Sequence, residues 1–153
     1  MTTTYPVKLD IKLKSIWHDN PPEINIGINN DIQQIILSKD QTFHYEFAAD
    51  NTSTLTIELL NKTDADTIPD KGLDKAVIIE SISFFGISDP KFVWSGEYRP
   101  EYPEPWYSKQ ATKPEPLLKS HTYLSWNGKW TLTIDLPVFT WIHKTQDLGW
   151  IYD

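Results

Sequence analysis

The sequence predicts an all-β chain: an antiparallel β-sandwich or jelly roll with one long proline- and aromatic-rich loop. Three observations predict it. Short runs carry an apolar residue at every second position, turn residues separate those runs, and no run has the 3.6-residue period of an amphipathic helix. Eight or nine short strands at such spacing fold as a sandwich or jelly roll.

In the first run Val7, Leu9, Ile11 and Leu13 alternate with Lys8, Asp10, Lys12 and Lys14. Ile16 and Trp17 follow, and Asn20-Pro21-Pro22 breaks the pattern. Ile24, Ile26 and Ile28 alternate again and stop at the turn Asn29-Asn30-Asp31. Ile32 to Leu37 is a third strand, with a helix as the alternative. Phe43, Tyr45 and Phe47 form a fourth, ended by Ala48-Ala49-Asp50-Asn51. Leu55 to Leu60 and Ala76 to Ile87 are strands on either side of an acidic connection. From Tyr98 to Pro116 alternation stops, and five prolines mark a long ordered loop or linker. Asn127-Gly128, between Tyr123–Trp126 and Trp130–Asp135, predicts a β-hairpin. Val138 to Ile142 reads as a last strand before the aromatic tail.

At 153 residues the chain is expected to form a single domain over 1–153 with room for a real core. A charged fraction of 23% is that of an ordinary globular protein and argues against disorder. The formal net charge of -7 and pI near 5.0 oppose general affinity for nucleic-acid phosphate. They favour neutral or cationic partners. Absence of cysteine removes disulfides, thiolate metal sites and a cysteine nucleophile. The start Met1-Thr2-Thr3-Thr4-Tyr5-Pro6 has neither the basic nor the apolar region of a signal peptide, and no apolar run approaches the ~20 residues of a membrane span. A virus particle and the cytoplasm are both compatible locations.

Two constellations suggest a site. Between Leu60 and Lys75 the chain places Asn61, Asp64, Asp66, Asp70 and Asp74. Calcium takes ~6–8 oxygen ligands, and side-chain oxygens crowded onto one loop between rigid strands supply them. Asp64 and Asp66, as alternate residues of an extended backbone, would both turn inward. The other reading is a solvated connection, where Asp is common because it favours turns. The spacing is not that of an EF-hand.

The second constellation is Tyr98, Tyr102, Glu104, Trp106 and Tyr107 in the proline-rich loop. Flat rings stack on the C–H faces of sugars, carboxylates take sugar hydroxyls, and proline pre-orders the loop. Packing over one end of the sandwich, or a protein contact surface, would use the same residue types. The acidic loop and the aromatic loop need not share a surface. Among Trp126, Trp130, Phe139, Trp141 and Trp150, the alternation Trp130, Leu132, Ile134, Leu136 is core patterning. Trp141 and His143 share a side if that strand continues, and Trp150 and Tyr152 are expected to face a partner.

The order apolar strand, Asn61, acidic loop, Asp74, apolar strand, Gly86 resembles the calcium-dependent xylan-binding carbohydrate-binding modules over about a fifth of the chain. Asn61 takes the family's strand-end position, Asp74 the start of the next strand, and Ile82 to Gly86 its end. The family's Asp-Arg-Asn triplet reads Asp74-Lys75-Ala76 here, and Lys62 stands where the family has an acid. The resemblance implies a β-sandwich, a lectin-like role and a calcium ion that ligates sugar hydroxyls directly.

Catalysis has little support. His18, His44, His121 and His143 are scattered, Glu101 and Glu104 sit in a proline-locked loop, and there is no nucleophile elbow or phosphate loop. The expected function is therefore non-enzymatic recognition, with calcium-assisted carbohydrate binding first. A structural or adhesive protein of a phage particle (tail, neck or capsid decoration) is the alternative. Partners are then carbohydrate or neighbouring subunits, a homo-oligomer being compatible with either, and not nucleic acid or a membrane.

Overall fold

The computed structural model describes residues 3–146. Trp150 and Tyr152 lie outside the described residues. In chain order the first strands are β1 (Tyr5–Ile16), β2 (Glu23–Ile28), β3 (Asp31–Ile36), β4 (Gln41–Ala49), β5 (Thr52–Leu59) and β6 (Ala76–Phe84). Then come β7 (Ile87–Ser88), helix α1 (Pro90–Trp94), β8 (Glu97–Pro100), β9 (Leu118–Lys119), β10 (Tyr123–Leu124), β11 (Gly128–Asp135) and helix α2 (Val138–Gln146). One sheet has the order β10-β6-β1-β4, with β7 on β6, and the other has the order β3-β2-β5-β11-β8-β9. The strand pairings in both are antiparallel. The architecture is an all-β sandwich.

The alternating runs explain the layers. Val7, Leu9, Ile11 and Leu13 of β1 are buried, as are Ile24 and Ile26 of β2 and Leu55, Ile57 and Leu59 of β5. Register lines them up across the second sheet: Ile57 pairs with Ile26 on one side and Trp130 on the other. Each such side chain contributes roughly 1.5–3 kcal/mol on leaving water. Ile32 to Leu37 resolves as strand β3, at the exposed edge of its sheet.

Four expectations are corrected. Asn127-Gly128 does not close a hairpin: β10 pairs with β6 in one sheet, whereas β11 pairs with β5 and β8 in the other. The dipeptide carries the chain between layers. Gly128 has φ 143°, and a Cβ there would stand 2.4 Å from the Arg99 carbonyl oxygen, so this crossing requires glycine. Val138 to Ile142 is helical, because Val138, Trp141 and Ile142 are buried at i, i+3, i+4. His143 therefore does not share a side with Trp141. Tyr98, placed in the long loop by sequence, belongs to β8 and is fully buried. Where the sequence assigned no element, α1 is a short helix capped by Asp89, whose carboxylate accepts the Lys91 N–H at 2.9 Å.

Candidate functional site: a cleft at one end of the sandwich

Three connections meet at one end of the sandwich and enclose a cleft of ≈ 500 Å³. The β5–β6 connection supplies Lys62, Thr63, Asp64, Thr67, Pro69 and Asp74. The β8–β9 connection supplies Glu101, Pro103 and Trp106, and the β10–β11 crossing supplies Ser125, Trp126 and Asn127. The acidic loop and the aromatic loop thus share a surface, which their separation in sequence gave no reason to expect.

Asn127 ties the three together. Its Oδ1 accepts the Lys62 N–H at 2.7 Å, its Nδ2 donates to the Lys62 carbonyl at 3.1 Å, and its own carbonyl accepts the Glu101 N–H at 2.6 Å. One side-chain amide therefore continues the backbone bonding where strand pairing ends. Asn61 does similar work one layer back. It accepts the Glu23 N–H at 2.8 Å and donates to the Pro21 carbonyl at 3.0 Å.

Two lysines organise the acidic loop. Lys62 Nζ donates to Asp74 Oδ1 at 2.7 Å, the Ser125 carbonyl at 2.6 Å and the Lys75 carbonyl at 3.2 Å. Lys75, only 1% exposed, donates to Asn20 Oδ1 at 2.8 Å and the Asn61 carbonyl at 3.1 Å, with Asp66 Oδ2 at 3.3 Å. Each ammonium thus has three oxygens around it. Asp66 itself does not run in an extended backbone beside Asp64. The two lie in a 3-10 turn, and Asp66 folds back to accept the Thr63 N–H at 2.7 Å, while Asp64 lines the cleft.

Burial pushes both the Asp66 and Asp74 carboxyls up, yet hydrogen bonds outweigh it. Thr63 and Lys75 hold Asp66 below its ordinary 3.8, and Lys62, Thr67, Tyr123 and the Lys75 N–H hold Asp74 below it. A carboxyl with a lowered folded pKa contributes stability that is complete above its unfolded value and is lost as pH falls through the folded value. The melting midpoint is therefore expected to drop below about pH 4. In Asp74→Asn that acid-side drop should shrink, which circular-dichroism melts across the range would measure. An identical acid limb in the variant would contradict the assignment.

Three of the five residues expected to ligate calcium already have partners within the chain. Asp66 and Asp74 are engaged by ammonium groups, Asn61 by backbone, and Asp70 stands on an exposed turn outside the cleft lining. Of the five, only Asp64 lines the cleft with a side chain that has no hydrogen-bonding partner among the described residues. Among the described residues no group of three His, Cys, Asp or Glu side chains is placed to hold a metal ion. Lys62 and Lys75, which depart from the calcium-binding pattern in sequence, place their ammonium groups on Asp74 and Asp66.

The aromatic candidates separate. Trp106 lines the cleft beside Trp126, with ring centroids 5.7 Å apart. Tyr102 is packed among neighbours: it stacks on Trp106 at 5.7 Å and on Tyr107 at 5.9 Å, and meets Trp126 edge-on at 5.1 Å. The Lys113 ammonium lies 5.0 Å from the Tyr107 ring centroid. Glu104 accepts a hydrogen bond from Ser108 and does not line the cleft. Tyr98 is a support rather than a platform. Its hydroxyl donates to the Trp126 carbonyl and accepts the Trp126 N–H at 3.1 Å, fixing the cleft wall from behind. Burial, set against the Trp126 hydrogen bond, raises its pKa well above the ordinary 10.0.

Fold and site together define an antiparallel β-sandwich with an aromatic-walled cleft, rimmed by carboxylates, at one end. The sequence matches no known family and shows no significant similarity to a curated protein. A solved structure, vCBM60 in complex with galactobiose, is similar in three dimensions with a TM-score of 0.47 and 11% sequence identity. The match covers 82% of this chain and 96% of that one.

Proposed function

We propose that this chain is a non-catalytic carbohydrate-recognition domain whose end cleft holds a sugar against Trp106 without calcium. The observation that carries the reading is the composition of the cleft. A half-buried tryptophan pair, Trp106 and Trp126, forms one wall, and the carboxylates of Asp64 and Glu101 have no hydrogen-bonding partner among the described residues. An indole face covers the apolar C–H side of a sugar ring, and free carboxylates accept its hydroxyls. A volume of ≈ 500 Å³ falls in the range of roughly 300–1,000 Å³ typical of small-ligand sites. What supports a non-catalytic role is that Asp74 is tied to Lys62 while Asp64 and Glu101 are exposed to solvent, without the apolar enclosure that sets one carboxyl of a catalytic pair apart as an acid.

A glycan array read with wild type and Trp106→Ala tests the proposal. Retention of a glycan by wild type and loss of at least about tenfold in affinity for the variant, the cost of a lost stacking contact near 1.4 kcal/mol, is expected. Equal retention by both would remove the cleft from the account.

The second reading, a structural component of a virus particle, is favoured by apolar side chains that a neighbouring subunit would cover. Trp94 is 52% exposed, Phe139 51% and Ile36 61%. Light scattering during size exclusion tests it: a monomer at high concentration would count against it.

A further inference from the structure

We infer that the cleft discriminates among sugars by charge, taking neutral and ammonium-bearing rings and rejecting those that carry carboxylate or sulfate groups. The inference rests on the sugar reading above. Three acids, Asp64, Asp74 and Glu101, line the cleft against a single base, Lys62. That base has nothing left to offer an anion, since its three N–H groups go to Asp74, Ser125 and Lys75. The amide of Asn127 is likewise engaged, and the Thr67 hydroxyl donates to Asp74 at 2.8 Å.

An anionic sugar would thus enter among carboxylates with no free cationic donor to meet it. Loss of its hydration would go uncompensated. An ammonium sugar meets the reverse situation. Asp64 and Glu101 are exposed and unpaired among the described residues, and the Trp106 face beside them attracts a cation through its ring quadrupole. The chain's net charge of -7 adds a long-range field of the same sign, screened by salt.

The test compares three trisaccharides of one length: glucosamine units, their N-acetylated neutral form, and galacturonic acid units. Calorimetry and tryptophan fluorescence would follow binding at low and high salt, at a pH where the amines are protonated and aspartate is ionised. The ammonium trimer is expected to bind about tenfold more tightly than the neutral one at low salt, with the gap closing at high salt. The carboxylate trimer should bind least. In the double variant Asp64→Asn/Glu101→Gln the ammonium-to-carboxylate ratio should collapse towards one. These two side chains are exposed and hold no other residue, and the backbone bonds at both positions are kept, so the variant keeps its fold. Binding of the carboxylate trimer as tight as the neutral one, or a ratio untouched by the double variant, overturns the charge inference while leaving sugar recognition standing. Failure of all three trimers to perturb the tryptophans, with no other glycan retained on the array, overturns both.

Discussion

Lys75→Ala is expected to destabilise the protein by about 3–5 kcal/mol, the cost of removing one partner of a buried ion pair. The side chain is 2% exposed and Asp66 opposite it 6%. Removing the ammonium leaves the Asp66 carboxylate, Asn20 Oδ1 and the Asn61 carbonyl without their shared donor. Thr63 alone would then hold the Asp66 carboxylate, and the 3-10 turn that presents Asp64 to the cleft would keep only the His18 contact to the Asp66 carbonyl, at 2.8 Å, as its tie to the rest of the fold. Urea unfolding measures the loss. The double variant Lys75→Met/Asp66→Asn separates charge from packing, because it removes both partners and should recover much of the stability. A single-variant loss below about 1 kcal/mol would show that the pair is not buried as described.

Tyr98→Ala is expected to cost about 3–5 kcal/mol as well, by loss of a large buried aromatic side chain. Here the effect reaches the cleft. Tyr98 is 0% exposed, and its hydroxyl holds both backbone groups of Trp126. Tyr98→Phe isolates that second contribution: ring packing remains while the Trp126 N–H and carbonyl lose their partner, at about 1–3 kcal/mol. The Phe variant should stay folded and show altered fluorescence from the wall tryptophan. Unchanged stability and emission in Tyr98→Phe would mean that Trp126 is held by other means.

The strands were readable because each buries one face, so the period-2 pattern of Val7–Leu13 or Trp130–Ile134 is imposed by the core. Short elements were not. β8 has four residues and ends in proline, too little for a pattern to form. α2 carried its own signal in the i, i+3, i+4 spacing of Val138, Trp141 and Ile142, which a search for strands passes over. Asn127-Gly128 shows that local turn chemistry does not say which sheet the chain enters next: tertiary pairing with β5 and β8 decided it.

At the site, the position of the acidic loop was legible and its chemistry was not. Counting oxygens points to a cation, but two of the carboxylates are met by ammonium groups from the ends of the same loop, Asp74 by Lys62 and Asp66 by Lys75. Trp126 and Asn127 join the cleft only through the crossing between sheets, so nothing near Trp106 in sequence announces them. Glu101 is next to the aromatic candidates yet lines the cleft in place of Glu104, because Glu104 turns to Ser108.

We propose sugar recognition in a cleft organised by lysines, with no need of a metal. A glycan retained on the array should be titrated by calorimetry against the same protein in excess calcium and in excess chelator, with thermal melts under both conditions. Equal affinity and equal midpoints are the predicted result, since a ligand that binds the folded state must raise its stability. Affinity that vanishes with the chelator, or a midpoint that rises with calcium, would contradict it.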